Sequence, residues 1–162
     1  MTRSTAREIA IQLCFAAAAS ERSPEEIAED FFSEEHYATL AEENELFSEF
    51  PNKKQLSYIR RLTGLVCEHR ETIDACIERY AKGWQVERIS RTALAVLRCA
   101  VCEILYMDDV PNAAAIDEAV ELAKKYDEPE TVAFVNGVLG GFVRAELSGD
   151  TAPSESPEPA DE

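Results

Sequence analysis

The sequence predicts an all-α fold, and three observations predict it. Glycine is scarce, with six in 162 residues. Apolar residues recur at three-, four- and seven-residue steps along most of the chain, the repeat of a helix with one buried face. No stretch alternates apolar and polar residues long enough to make a strand.

The elements follow in order. Ser4 or Thr5 can cap a first helix, with Glu8 completing a capping box to Thr5. Ile9, Leu13 and Ala16 share one of its faces, flanked by Ile11 and Phe15. Ser23-Pro24 fits an N-cap and a first-turn proline, followed by Glu25 and Glu26 at the positive end of the helix dipole. This acidic second helix carries Ile27, Phe31 and Phe32, its continuation carries Tyr37, Leu40 and Leu46, and it ends before Pro51. Asn52 starts a long third helix whose stripe is Leu56, Ile59, Leu62, Val66, Ile73, Ile77 and Tyr80. Gly83 breaks the pattern and divides the domain into halves of about 1–82 and 83–148. A fourth helix is expected from about Val86 to Tyr106, with a wide apolar face suited to a central position. Asp108-Asp109-Val110-Pro111 is a turn, because the residue before proline is pushed away from helix. A fifth helix follows from Asn112 and a sixth from Pro129, the latter carrying Val135, Val138, Leu139 and Phe142. From 149 to 162 proline, serine, alanine and acids dominate, which reads as an acidic disordered tail.

The length suits one domain, and a hydrophobic fraction of 46% is ordinary for a globular protein. No run approaches the ~20 apolar residues of a membrane span. Arg7, Glu8 and Gln12 interrupt the N-terminal apolar stretch, so no signal peptide is expected. Five cysteines without a secretion signal read as reduced thiols, and the expected location is cytoplasmic.

The net charge of −16 is unevenly spread. Residues 21–50 hold eleven acids and one arginine, whereas residues 51–100 hold ten bases and five acids, a net of +5. Overall repulsion opposes indiscriminate nucleic-acid binding but leaves room for a local cationic site. The acidic stretch is otherwise a solvated helix face.

Nothing points to catalysis. Cys99-Ala100-Val101-Cys102 is a CxxC, but zinc needs two further ligands and a redox pair belongs at a helix N-terminus, whereas this one is mid-helix. His36 and His69 stand singly, no carboxylate pair stands out, and no GxGxxG or Walker loop occurs. We therefore expect no enzyme, no metal and no cofactor.

Three features suggest binding. Arg3 and Arg7, four apart, can grip phosphates from one helical face or merely solubilise the terminus. Tyr80-Ala81-Lys82-Gly83-Trp84, with Arg79 and Arg88 nearby, places aromatics among bases, as in single-strand readers, or plugs a junction between helices. Phe134-Val135-Asn136-Gly137-Val138-Leu139-Gly140-Gly141 carries glycines that cost ~1 kcal/mol each inside a helix, which suggests close approach of a helix or a phosphate.

Taken together, several segments resemble the NusB transcription antitermination family. They are Ala6-Arg7-Glu8 with Gln12; Ile73-Asp74; Val96-Leu97-Arg98-Cys99-Ala100-Val101-Cys102-Glu103-Ile104; Pro111 with Ala115-Ile116-Asp117-Glu118-Ala119-Val120-Glu121-Leu122-Ala123-Lys124; and Phe134 to Leu139. The last two together are the specific ones, and the resemblance spans residues 3 to about 145. It implies two perpendicular three-helix bundles sharing one core. It also implies boxA-type RNA and the ribosomal protein NusE as partners, within an RNA polymerase complex that resists termination during ribosomal RNA transcription. RNA contacts would fall on Arg3, Arg7, Tyr80, Lys82, Arg88, Phe134, Asn136 and Gly137. The chain departs from the family at Ser4 and Thr5, where more bases are usual, at Ala93-Leu94 in place of an acidic–basic pair, at Ala133 in place of a base, and at Gly140 in place of an acid. An adaptor that binds protein but little RNA is the alternative, and a homodimer stays open. A methyltransferase accessory domain is disfavoured, since no cofactor-binding βαβ unit is present.

Overall fold

The computed structural model describes residues 1–84 and 89–147. Among them are eight α-helices and no strand: α1 (Arg3–Ala18), α2 (Pro24–Phe31), α3 (Glu34–Glu43), α4 (Lys53–Glu68), α5 (Arg70–Tyr80), α6 (Arg91–Tyr106), α7 (Asn112–Tyr126) and α8 (Pro129–Phe142). A short 3-10 turn, Glu45–Phe47, and a π-type turn, Val143–Leu147, complete the set. The chain groups into two compact units, the first Met1–Arg70 and the second from Glu71 onward. The division therefore falls at the end of α4, not at Gly83 as the sequence suggested, so α5 belongs with the later helices.

Several boundaries differ from the expected ones, each for a local reason. Helix α1 is capped by Thr2, whose side chain accepts from the Thr5 amide at 3.0 Å. The acidic helix ends at Phe31, because Ser33 starts α3 by accepting from the His36 amide at 3.3 Å. The expected third helix is two, α4 and α5, separated at His69. Helix α6 begins at Arg91, where the Ser90 hydroxyl accepts from the Ala93 amide at 3.0 Å. Ser23 caps α2 as expected and also forms a capping box with Glu26, and a second such box joins Asn52 and Gln55.

In the first unit α1 packs on α4, with α2 against both. Ile9, Leu13, Ile59 and Leu62 are fully buried there. Each is worth roughly 1.5–3 kcal/mol relative to an exposed position. Ala16, placed on this face by the periodicity, is exposed. Phe31, Phe32, Tyr37, Phe47 and Phe50 form an edge-to-face cluster beneath the acidic helices. The Tyr37 hydroxyl donates to the Glu49 carbonyl at 2.8 Å, and burial pushes its phenol up to about 12.

In the second unit α6, α7 and α8 pack pairwise. Helix α5 is tied to α6 by a two-pronged bond from Arg98 to Asp74, at 2.8 and 3.2 Å. Cys99 and Cys102 are buried in mid-α6. All five cysteines are free thiols, and among the described residues no cluster could hold a metal ion. Among those residues no helix is long and apolar enough to cross a membrane.

Candidate nucleic-acid interface

The first unit presents the arginines of α1. The Arg3 guanidinium carbon lies 4.2 Å from the centre of the Tyr58 ring, and Arg3 stays exposed. Arg7 lies 5.8 Å from the same ring but is only 5% exposed. The four-residue spacing does put both on one face. That face turns inward between Arg3 and Arg7, because α1 settles onto α4 from its second turn. Arg7 is thus part of the framework, contrary to the expected solvent-facing fork. Tyr58, which gathers both arginines, was missed in the sequence because it stands one residue before the stripe position Ile59.

The second unit gathers the aromatic segment onto α8. Gly83 adopts φ +88°, a left-handed conformation that disfavours side chains, and Trp84 closes the turn by donating its amide to Ala81 at 2.9 Å. That turn lays Trp84 edge-on against Phe134, with ring centres 5.2 Å apart. The Trp84 ring also covers Gly137, where a Cβ would stand 3.6 Å from it. One helical turn later, Tyr80 lies over Gly141 and 6.0 Å from the Phe142 ring. Positions 134, 137 and 141 share a face of α8, so the two aromatics occupy successive steps of one shallow track. A Cβ at Gly137 or Gly141 would meet these rings at ordinary van der Waals distance, so the packing itself does not require glycine there, contrary to the close approach the sequence suggested.

Lys82, Asn136 and Gly137 are exposed beside the track, while Tyr80 and Trp84 are half-buried. Phe134 is fully buried and cannot meet a ligand; it is the floor under Trp84. Arg88 lies outside the described residues.

One contact here had no signal in the sequence. The Tyr80 hydroxyl donates to Glu146 Oε2, and Arg79 Nη1 reaches the same oxygen at 2.7 Å. The hydrogen bond from Tyr80, then that from Arg79, holds the Glu146 carboxyl below its ordinary value. The same bond, then partial burial, raises the Tyr80 phenol. Cys76, one turn before Tyr80, is also pushed up, first by burial and then by Glu146, which keeps the thiol protonated.

The family model of the NusB family matches residues 4–144. The chain belongs to the NusB family. The transcription antitermination protein NusB of Acetivibrio thermocellus is 39% identical over 147 residues, covering 91% of this chain and 92% of that protein. T. maritima NusB has a similar fold, with TM-score 0.72 at 27% identity over 93% of this chain and 96% of that one. A NusB crystallised with NusE and double-stranded RNA superposes with TM-score 0.67 over 88% of this chain and 96% of that one, and at 24% identity that likeness concerns the fold.

Proposed function

We propose that this NusB-family chain is a cytoplasmic, non-enzymatic antitermination factor that binds boxA-type RNA together with NusE, in an RNA polymerase complex transcribing ribosomal RNA. The observation that carries this reading is the family match across residues 4–144, nearly the whole helical body. Its antitermination relatives support the process. The exposed edge of the second unit supports the ligand class: Tyr80, Lys82, Trp84, Asn136 and Gly137 offer ring faces, a cation and an amide of the kind that single-stranded RNA uses. On the first unit, Arg3 is the phosphate contact; Arg7 holds its surroundings in place. Arg88 remains a candidate on sequence grounds.

The test is a pull-down of NusE by the tagged chain, with and without nuclease, beside anisotropy titrations with labelled boxA-type RNA. Ternary binding that is lost on nuclease treatment or on removal of NusE supports the reading. The burial of Arg7 favours one other outcome: NusE retained while RNA affinity stays at the level of an unrelated sequence, which marks a protein adaptor.

A further inference from the structure

Helix α5 ends in two donors that converge on a single oxygen. We propose that Arg79 and Tyr80 form a phosphate-binding site for the nucleic-acid backbone, and that Glu146 fills it in the free protein as an intramolecular competitor. The inference rests on the RNA-binding reading and adds to it a residue, Arg79, and a means of restraint.

The donor set is the first argument. A guanidinium and a phenol meet one carboxylate oxygen, Arg79 Nη1 at 2.7 Å and the Tyr80 hydroxyl beside it. A phosphate offers the same anionic acceptor with more oxygens, and arginine matches its geometry well. Glu146 therefore stands where a backbone phosphate would stand.

The second argument is that the carboxylate is replaceable. The Arg79 side chain is 56% exposed and that of Glu146 is 31% exposed, so the pair lies in solvent where such contacts contribute little to stability. Glu146 sits on the short turn Val143–Leu147, which buries none of its residues. The Tyr80 ring is held separately, by Phe142 and Gly141, and stays in place when its hydroxyl changes partner.

The third argument is position. The same tyrosine offers its ring to a base, and Lys82 follows two residues later, exposed. A strand stacking on Tyr80 carries its phosphate to within reach of the Tyr80 hydroxyl and Arg79. With Glu146 seated, Arg79 is neutralised; with Glu146 displaced, one positive charge is revealed at the track.

The experiment is anisotropy titration of a labelled single-stranded boxA-type RNA with wild type, Glu146→Gln, Arg79→Ala and the double variant, over a range of salt. Glu146→Gln keeps the side-chain shape at a half-buried position, and circular dichroism verifies its folding. It should bind roughly three- to tenfold tighter than wild type, and the gain should vanish in the Arg79→Ala background. Its log–log salt slope should steepen by about 0.7, one added single-strand phosphate contact. Wild-type binding with no gain from Glu146→Gln overturns the inference and leaves the RNA-binding reading intact. A gain that persists without Arg79 also overturns it, since that is only relief of long-range repulsion. If neither wild type nor Glu146→Gln binds RNA, with NusE present or absent, the RNA-binding reading falls and this inference with it.

Discussion

Arg3 and Arg7 share a tyrosine ring, yet only Arg3 remains at the surface. Spacing fixes which face a side chain points from, and packing decides whether that face meets solvent. An arginine can bury its aliphatic stem while its head finds partners, which a hydrophobic scale does not anticipate. Phe134 teaches the same lesson from the apolar side. It belongs to the motif that most clearly resembles the family, but it lies beneath the site. Phe134→Ala should therefore cost about 3–5 kcal/mol of stability in urea denaturation, because it empties the floor under Trp84. A second residue-scale prediction concerns Tyr37, whose buried phenol is raised from 10.0 to about 12. Its contribution to stability is fully present below pH 10, where the phenol is neutral in both the folded and unfolded chain. It is lost as pH rises from 10 through about 12, where only the unfolded chain ionises readily. Phenolate absorbance should show late-titrating tyrosines, since Tyr80 is raised as well, and Tyr37→Phe should remove one of them while leaving the Tyr80 contribution.

At the scale of elements, helix existence was legible and helix ends were less so. Ile59, Leu62, Val66, Ile73 and Ile77 are buried as their periodicity demands, and all belong to helices. The break at His69 left no trace in that periodicity, because Val66 and Ile73 are one heptad apart and a heptad stripe reads through a short interruption. Ser33 and Ser90 were legible as caps in principle: a serine before a helical turn is the usual N-terminal residue. Their apolar neighbours, Phe32 and Ile89, let the periodic pattern run on across both caps. Gly83, by contrast, is legible as a breaker, and its φ of +88° gives the reason. A side chain in that conformation costs roughly 1–2 kcal/mol. Gly83→Ala should lower stability by about that amount, measured by chemical denaturation. It should also loosen Trp84 from α8, seen as a change in Trp emission, although a Cβ at Gly83 meets nothing within 4 Å.

At the scale of the whole molecule, charge organises what the protein can bind. The excess of −10 in residues 21–50 lies on α2, α3 and the segment that follows, apart in sequence from the bases of residues 51–100. Few cations are available for phosphates: Arg3, Lys82 and Arg88 from the expected set, with Arg79 engaged by Glu146. Three phosphate contacts predict a log–log salt slope near −2 for single-stranded RNA, checked by anisotropy between low and moderate ionic strength. A slope near zero would remove the electrostatic part of the binding reading. The sequence showed the aromatic segment and the glycine-rich helix as separate features. Their meeting was not legible, because it depends on the left-handed turn at Gly83 swinging Trp84 onto Gly137. The Glu146 contact was hidden by distance along the chain, since the residues that meet are more than sixty positions apart.

Trp84 is the only tryptophan in the chain, and it is lodged against Phe134 and Gly137 of α8. The protein therefore carries a built-in optical reporter on its later helices alone. Emission under denaturant follows that neighbourhood, whereas far-ultraviolet dichroism averages over every helix. Where the two curves part company, the earlier helices melt on a schedule of their own.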